Sequence, residues 1–125
     1  MAKGYQANRE RLEAVSGFGK IISKRAGFCC EWCGDRDDLR IWEQRPEREP
    51  EEGTLALLCG RCRRLADGGG WEPDELRSLR NALWSDIPAV AEGAARVLSR
   101  CREPWAREAI EESFIPDELK AELLK

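Results

Sequence analysis

The sequence has no histidine among its 125 residues. Histidine is the commonest general base, a usual ligand of catalytic zinc, and the partner of nucleophilic serine or cysteine in many hydrolases. Its absence excludes Ser–His and Cys–His dyads. The chain also lacks any apolar run near the roughly 20 residues of a membrane span. Its first ten residues lack the apolar segment of a signal peptide. We therefore expect a cytoplasmic protein with no membrane association.

Composition and charge predict one globular domain. The chain is 42% hydrophobic and 36% charged, with a net charge of −3, which is typical of folded rather than disordered proteins. The charge is uneven: residues 1–28 have a balance of +4 and residues 29–53 a balance of −5. A solvated helix face explains the basic segment more simply than an acidic partner does. Charge alone therefore identifies no partner.

Hydrophobic spacing predicts an α+β fold that is mostly helical. A first helix is expected over about residues 9–26, with its middle weakened by Gly17 and Gly19. Short strands are expected at 39–42 and 54–58, joined by an exposed loop that contains two prolines. A helix over 59–66 then precedes a glycine-rich linker, and more helices are expected over 73–84, 88–102, 105–114 and 116–124. We expect a single domain over 1–125, with a metal-binding module at 27–67 and a helical subdomain at 73–125.

Four of the six cysteines form two Cys-x-x-Cys pairs, Cys30/Cys33 and Cys59/Cys62, on either side of the predicted hairpin. Zn²⁺ prefers four tetrahedral ligands and thiolates suit it, so this double spacing predicts one structural zinc ion. Gly34 permits the left-handed turn of a zinc knuckle, and the second pair opens a helix whose dipole favours thiolates. A hairpin between a knuckle and a ligand-bearing helix is typical of a treble-clef or zinc-ribbon module. Redox pairs or unlinked thiols are weaker interpretations, because no βαβ unit surrounds either pair.

The predicted site leaves two cysteines and three arginines to interpret. Cys101 lies on an apolar helical stripe and is interpreted as a core residue. Cys29 stays outside the site and is either inert or a reactive free thiol. Four thiolates with one Zn²⁺ carry a formal charge of −2, which we expect the neighbouring Arg61, Arg63 and Arg64 to offset, although a solvated helix face explains them equally well. Because four thiolates leave no open position for water, the metal is expected to be structural rather than catalytic.

The tryptophans are a second candidate signal. Trp84 and Trp105 fall in helical patterns and are expected to anchor the core. Trp32, inside the knuckle, and Trp42, at the end of the first strand, have two interpretations. The simpler one is that both cover the thiolates and limit the access of solvent. The other is that they stack on a base or fill a pocket of a partner.

Residues 25–64 resemble the framework of an HNH endonuclease, with "RAGFCCEWCG", "LRIWEQ" and "LALLCGRCRR" in order. In that family the first strand ends in histidines, one of them the general base, and another histidine commonly follows the last cysteine pair. Those places are held here by Trp42, Glu43 and Arg63. A nuclease of this kind needs a base and ligands for a divalent ion, and Glu43 alone would bind a metal only weakly. The resemblance implies the scaffold without its catalytic groups.

A longer stretch, about residues 22–116, resembles the amino-terminal zinc-ribbon region of the bacterial PhnA family. Its most specific part is "LWSDIPAVAEGAARVL", after "CEWCG" and "LLCGRCRR". The resemblance implies that Cys30, Cys33, Cys59 and Cys62 are the zinc ligands. Family members usually add a carboxy-terminal β-barrel, which has no counterpart in these 125 residues. The family name is also associated with phosphonoacetate hydrolase activity. Such hydrolysis would require an open metal site and histidines, and the sequence offers neither.

Two classes of function follow from these observations. The first is a zinc-binding, non-catalytic adaptor for a protein or a nucleic acid. The alternative is a degenerate HNH-like nuclease or phosphonate-related hydrolase that retains activity. The sequence fixes neither the partner nor the oligomeric state. The candidate contacts for a nucleic acid or partner are basic and aromatic side chains, namely Lys20, Lys24, Arg25, Trp32, Arg61, Arg63 and Arg64.

Overall fold

The computed structural model describes residues 2–125, with side chains described for residues 9–72 and 74–125. The elements in order are α1 (Ala2–Gly17), α2 (Gly19–Arg25), β1 (Arg40–Glu43), β2 (Leu55–Leu58), α3 (Gly60–Ala66), α4 (Pro73–Arg77), α5 (Pro88–Leu98), α6 (Pro104–Glu112) and α7 (Asp117–Leu123), with 3-10 turns at Glu52–Thr54 and Arg80–Trp84. This confirms the mostly helical α+β architecture with a small hairpin. Within the described residues, no helix is both long enough and apolar enough to cross a membrane.

The two strands form an antiparallel hairpin that is covered on both faces. Strand β1 pairs with β2 in a register that places Ile41 opposite Leu57. All four residues of β2 are buried. On one face, Leu55 and Leu57 pack against Ile22 of α2, and on the other, Ala56 and Leu58 join the main core. Successive side chains of a strand point to opposite faces, so a strand covered on both sides is apolar throughout.

The amino-terminal helix predicted over 9–26 is two helices. Phe18 separates α1 from α2, between Gly17 and Gly19. Glycines within a helix weaken it by about 1 kcal/mol each relative to alanine, and Phe18 packs against the small cluster around Ile22. Ile22 is fully buried, whereas Leu12 is 63% exposed. The apolar residues at helical spacing that predict this helix, Leu12, Val15, Ile22 and Ala26, therefore form a stripe of which only the second half docks on the hairpin.

The helical half is more interrupted than expected. The helix predicted over 73–84 is α4 followed by a 3-10 turn, and α5 ends at Leu98 rather than near residue 102. Proline begins α5, as expected, and the hydroxyl of Ser85 accepts a hydrogen bond from the Ile87 N–H at 3.1 Å. Pro104 is the first residue of α6 and disfavours helical geometry at the residue before it, so α5 and α6 stay separate helices.

The main core is continuous between the hairpin segment and the carboxy-terminal helices. The hairpin segment contributes Trp32, Leu58 and Leu65 to this core, and the carboxy-terminal helices contribute Val97 and Ile110. All five side chains are at most 3% exposed. Because these side chains share one core, the two segments pack around it together, and the smaller cluster around Ile22 lies on the other face of the hairpin.

The structure confirms the predicted burial of Cys101 but not that of both tryptophans in the helical half. Cys101 is 1% exposed within the main core, which confirms its interpretation as a core residue. Trp105 is partly buried against the same core, and the guanidinium of Arg77 lies 5.4 Å from the centroid of its ring. The expectation for Trp84 was wrong: it is 41% exposed, at the end of a 3-10 turn, and its ring lies against Phe114.

Candidate metal centre

The four predicted ligands come together at one point. The Sγ atoms of Cys30, Cys33, Cys59 and Cys62 all lie within 4.8 Å of one another, and those of Cys33 and Cys59 are 3.6 Å apart. Four sulfurs bound to Zn²⁺ at about 2.3 Å in a tetrahedron would be about 3.8 Å apart. Three of these cysteines are buried and Cys33 is partly buried. The donor set therefore fits one tetrahedral metal ion.

The first pair sits in a tight turn that depends on glycine. Gly34 has a φ of +83°, a conformation that side chains with a Cβ rarely adopt. Its N–H donates to the Cys30 carbonyl at 2.9 Å, and the Cys30 N–H donates to the Asp35 carbonyl at 2.7 Å. These bonds close the knuckle around the two thiols, as the sequence predicts.

The second pair is set by the junction of a strand and a helix. Strand β2 leads directly into Cys59, which is the N-cap of α3, and the Cys62 N–H donates to the Cys59 Sγ at 3.4 Å. The first N–H groups of a helix have no partner within the helix. A sulfur ligand at the N-cap therefore satisfies one of them. This hydrogen bond favours the thiolate form of Cys59, but burial outweighs it.

The thiols share their protons unequally. A hydrogen bond from the Cys62 thiol, with smaller contributions from neighbouring N–H groups, outweighs burial and lowers the pKa of Cys30 to about 4. The same hydrogen bond, together with burial, raises the pKa of Cys62. Burial also raises the pKa of Cys59. A divalent ion that binds these sulfurs must displace their remaining protons, so metal binding releases protons here.

Of the three arginines expected to offset the thiolate charge, Arg61 interacts with a ligand sulfur. A hydrogen bond to the Cys33 sulfur raises the pKa of Arg61. Arg63 instead donates to the carboxylate of Asp38 at 2.6 Å and to its carbonyl at 2.9 Å, which fastens α3 to the turn before β1. Arg64 is exposed.

The other candidate contact residues also divide into exposed side chains and side chains held by contacts within the protein. Lys20 and Lys24 are exposed on α2. Arg25 donates to the carboxylate of Glu31 and to the backbone carbonyls of Glu52 and Leu55, so its guanidinium is committed to internal contacts. Trp32 is 3% exposed, and its ring is not a surface on which a base could stack. Among the seven candidates, the exposed cations are therefore Lys20, Lys24 and Arg64.

Trp32 and Trp42 pack against each other over a glycine of α5. Their ring centroids are 5.2 Å apart, with an angle of 65° between the planes. A Cβ at Gly93 would lie 2.7 Å from Cζ2 of Trp32 and 3.0 Å from Cη2 of Trp42. Trp32 belongs to the same core cluster as Cys30, Cys59 and Cys62, which favours a covering role. Sequence reasoning missed Gly93, although a glycine inside the alanine-rich "AVAEGAARV" is a usable signal of close packing.

Glu43, at a place where the predicted resemblance to HNH enzymes implies a histidine, forms an ion pair. The Glu43 carboxylate accepts hydrogen bonds from Nε and Nη2 of Arg11 at 3.0 and 2.5 Å, and Arg11 also donates to the Arg48 carbonyl. Arg11 therefore fastens α1 to the end of β1 and to the loop between the two strands. Among the described side chains, the four cysteines are the one group of at least three Cys, Asp or Glu residues placed to hold a metal ion.

Comparisons with protein-family models, with curated proteins and with solved structures gave no match. The resemblances to the PhnA and HNH families therefore stay predictions.

Proposed function

We propose that this chain is a zinc-binding, non-catalytic protein, in which one structural Zn²⁺ holds together a scaffold that binds a protein or nucleic-acid partner. The observation that carries the proposal is the set of four Sγ atoms within 4.8 Å of one another. Four thiolates complete the tetrahedral coordination of Zn²⁺ and leave no position for a reacting water. The ion would stabilise the fold by joining the knuckle to the start of α3.

The choice of zinc rests on the chemistry of the donors. Tetrahedral sites with four sulfur donors suit Zn²⁺ or iron, and Zn²⁺ forms such sites when its role is structural. A reducing compartment such as the cytoplasm keeps these thiols available for a metal. We include in the proposal a relationship to the zinc-ribbon region of the PhnA family, with a treble-clef arrangement of knuckle, hairpin and helix.

The alternative, a degenerate nuclease or phosphonate hydrolase, has little chemical support. The chain has no histidine, and the carboxylate of Glu43 is held by Arg11. Hydrolysis of a phosphodiester or phosphonate needs a group that activates water and an accessible divalent ion. A closed set of four thiolates supplies neither.

The test measures metal content and activity on the same preparation. Elemental analysis is expected to find about one zinc and no iron per chain. Incubation with DNA, RNA or phosphonoacetate, with added Mg²⁺ or Mn²⁺, should give no product above buffer. Metal-dependent cleavage that is lost in Glu43→Gln would overturn the non-catalytic proposal.

The class of partner needs a separate measurement. Nucleic-acid binding should weaken steeply as salt rises, because cations on the protein displace counterions from phosphates. It should also depend on the exposed Lys20, Lys24 and Arg64. The affinity for a single-stranded or duplex oligonucleotide is the measurement. An affinity that changes neither with salt concentration nor with these substitutions would contradict specific recognition of a nucleic-acid partner.

A further inference from the structure

An open groove lies where the chain enters α5, beside the loop between α6 and α7. Its volume is about 340 Å³, which is near the lower end for sites that hold an organic ligand. We call it the aromatic groove, and the lining residues that matter here are Trp84, Asp86, Pro88, Glu92, Phe114 and Pro116. It is separate from the four cysteines, none of which lines it.

Two large aromatic side chains are exposed at this groove. Trp84 is 41% exposed and Phe114 is 83% exposed. Their ring centroids are 5.7 Å apart, with an angle of 58° between the planes, so the rings form an angled wall rather than a closed stack. Pro88 and Pro116 add apolar surface to the lining of the groove. Neighbouring exposed aromatics at a concave site are typical of binding surfaces.

The groove is also acidic. Asp86 and Glu92 line it, and no basic side chain does. Among the described side chains, Asp86 takes part in no ion pair. Glu92 is contacted by Arg45 at 3.8 Å and by the amide of Gln44 at 3.3 Å. The groove therefore offers at least one free carboxylate beside its aromatic wall, and this charge complements a cationic ligand.

We propose that the aromatic groove binds an extended peptide segment in which prolines flank an arginine or lysine. Proline rings pack on aromatic faces, and a proline-rich segment is already extended before it binds, so little conformational entropy is lost. The basic side chain would pair with Asp86. A groove of this volume accommodates a few side chains, which favours a peptide over the broad face of a folded partner.

This inference deepens the proposed function, since it names the class of protein partner and the surface that binds it. It does not depend on the metal directly. The two can fail separately, because zinc content and catalytic inactivity are measured independently of peptide binding.

The test uses the full zinc-loaded chain and a fluorescein-labelled peptide, Gly-Pro-Pro-Arg-Pro-Pro-Gly, with anisotropy as the readout. Saturable binding is expected. Phe114→Ala should weaken it at least about tenfold, since aromatic side chains at the centre of an interface carry much of the affinity. Asp86→Asn should weaken it several-fold and abolish the preference over a matched peptide with Glu in place of Arg. Phe28→Ala, which alters another exposed aromatic residue at 61% exposure outside the groove, is the matched control and should not change binding.

Three outcomes would overturn the inference. One is the absence of saturable binding by the arginine peptide. A second is binding that Phe114→Ala leaves unchanged. The third is a concentration-dependent dimer, seen by light scattering, that Phe114→Ala dissociates, because a second copy of the chain would then be the occupant. Circular dichroism and zinc content of each variant confirm that a loss of binding does not reflect a loss of the fold.

Discussion

The guanidinium of Arg25 and the carboxylate of Glu31 form a two-pronged ion pair, with N–O distances of 2.6 and 3.1 Å. The Glu31 carboxylate also accepts the Leu57 N–H at 2.9 Å, and Arg25 donates to the Leu55 carbonyl at 2.8 Å. The pair therefore joins the end of α2, the knuckle of Cys30 and Cys33, and the outer edge of β2. Its side chains are only 20% and 7% exposed.

Glu31→Gln should destabilise the zinc-loaded protein by about 1–3 kcal/mol, because the guanidinium of Arg25 and the Leu57 N–H lose a charged acceptor in a partly buried site. Urea unfolding followed by circular dichroism measures the free energy of unfolding. Glu13→Gln is the matched control, because Glu13 pairs with Arg9 in an exposed position, where such pairs contribute at most about 1 kcal/mol. Equal effects of the two substitutions would contradict the structural role of Glu31.

Gly93→Ala should destabilise the protein by about 1–3 kcal/mol, since the added methyl group overpacks the core. It would lie 2.7 Å from the ring of Trp32. The higher helix propensity of alanine, worth about 1 kcal/mol, opposes only part of this cost. Thermal and urea unfolding measure the change.

Two further variants separate this clash from a general effect of alanine. Gly19→Ala is the control, because a Cβ there meets no atom within 4 Å, and we expect it to be neutral or slightly stabilising. Trp32→Phe shortens the facing ring, so its combination with Gly93→Ala should cost less than the sum of the single changes. Strict additivity would argue against the contact.

Cys59→Ser should abolish stoichiometric zinc binding, whereas Cys29→Ser should leave it intact. Cys59 is one of the four clustered cysteines, and Cys29 is outside the cluster. In small zinc fingers metal binding contributes on the order of 10–16 kcal/mol to folding, so Cys59→Ser or treatment with a chelator should unfold at least the segment of knuckle, hairpin and α3. Zinc content and near-ultraviolet circular dichroism are the measurements. Retention of zinc by Cys59→Ser would refute the assigned ligand set.

Arg100→Ala should speed the release of zinc to a chelator. Arg100 follows α5, and its guanidinium donates to the carbonyls of Leu65 and Ala66 at the end of α3, at 2.5 and 3.5 Å. Cations at the carboxy-terminus of a helix hydrogen-bond its free carbonyls and interact favourably with its dipole. Removal of the Arg100 guanidinium should therefore loosen α3, the helix that carries Cys62. Absorbance of a zinc-responsive dye gives the release rate. Arg102→Ala, at a nearby exposed arginine, should release zinc at the wild-type rate.

The metal site was predictable because its signal is local. The double Cys-x-x-Cys spacing and Gly34 require only a turn and a helix start, and the structure brings the four sulfurs together. The ends of the helices were harder to predict from the sequence where contacts with distant residues determine them. The break at Phe18 depends on its packing against the cluster of Ile22, and periodicity alone cannot show which half of that apolar stripe finds a partner.

The role of single charged or aromatic side chains was least predictable. Arg25 and Arg63 are indistinguishable from surface cations in the sequence, yet each is fixed by a carboxylate elsewhere in the chain. Trp84 has the spacing of a core residue but lies at the surface beside Phe114. The contacts of Arg63 with Asp38 and of Trp84 with Phe114 join residues 25 or more apart in the chain, which no local pattern encodes. Arg25 and Glu31 are only six residues apart, but their pairing depends on the turn between α2 and the knuckle, which periodicity does not show.

The close approach of α5 to the hairpin at Gly93 also provides a way to recognise distant relatives. A hydrogen atom is the largest group that fits at this position while both indole rings remain, so the three positions should change together during divergence. A relative with a larger residue at position 93 is expected to carry a smaller ring at position 32 or 42. The spacing of two Cys-x-x-Cys pairs combined with this compensating triplet would be a more selective search pattern than the cysteines alone.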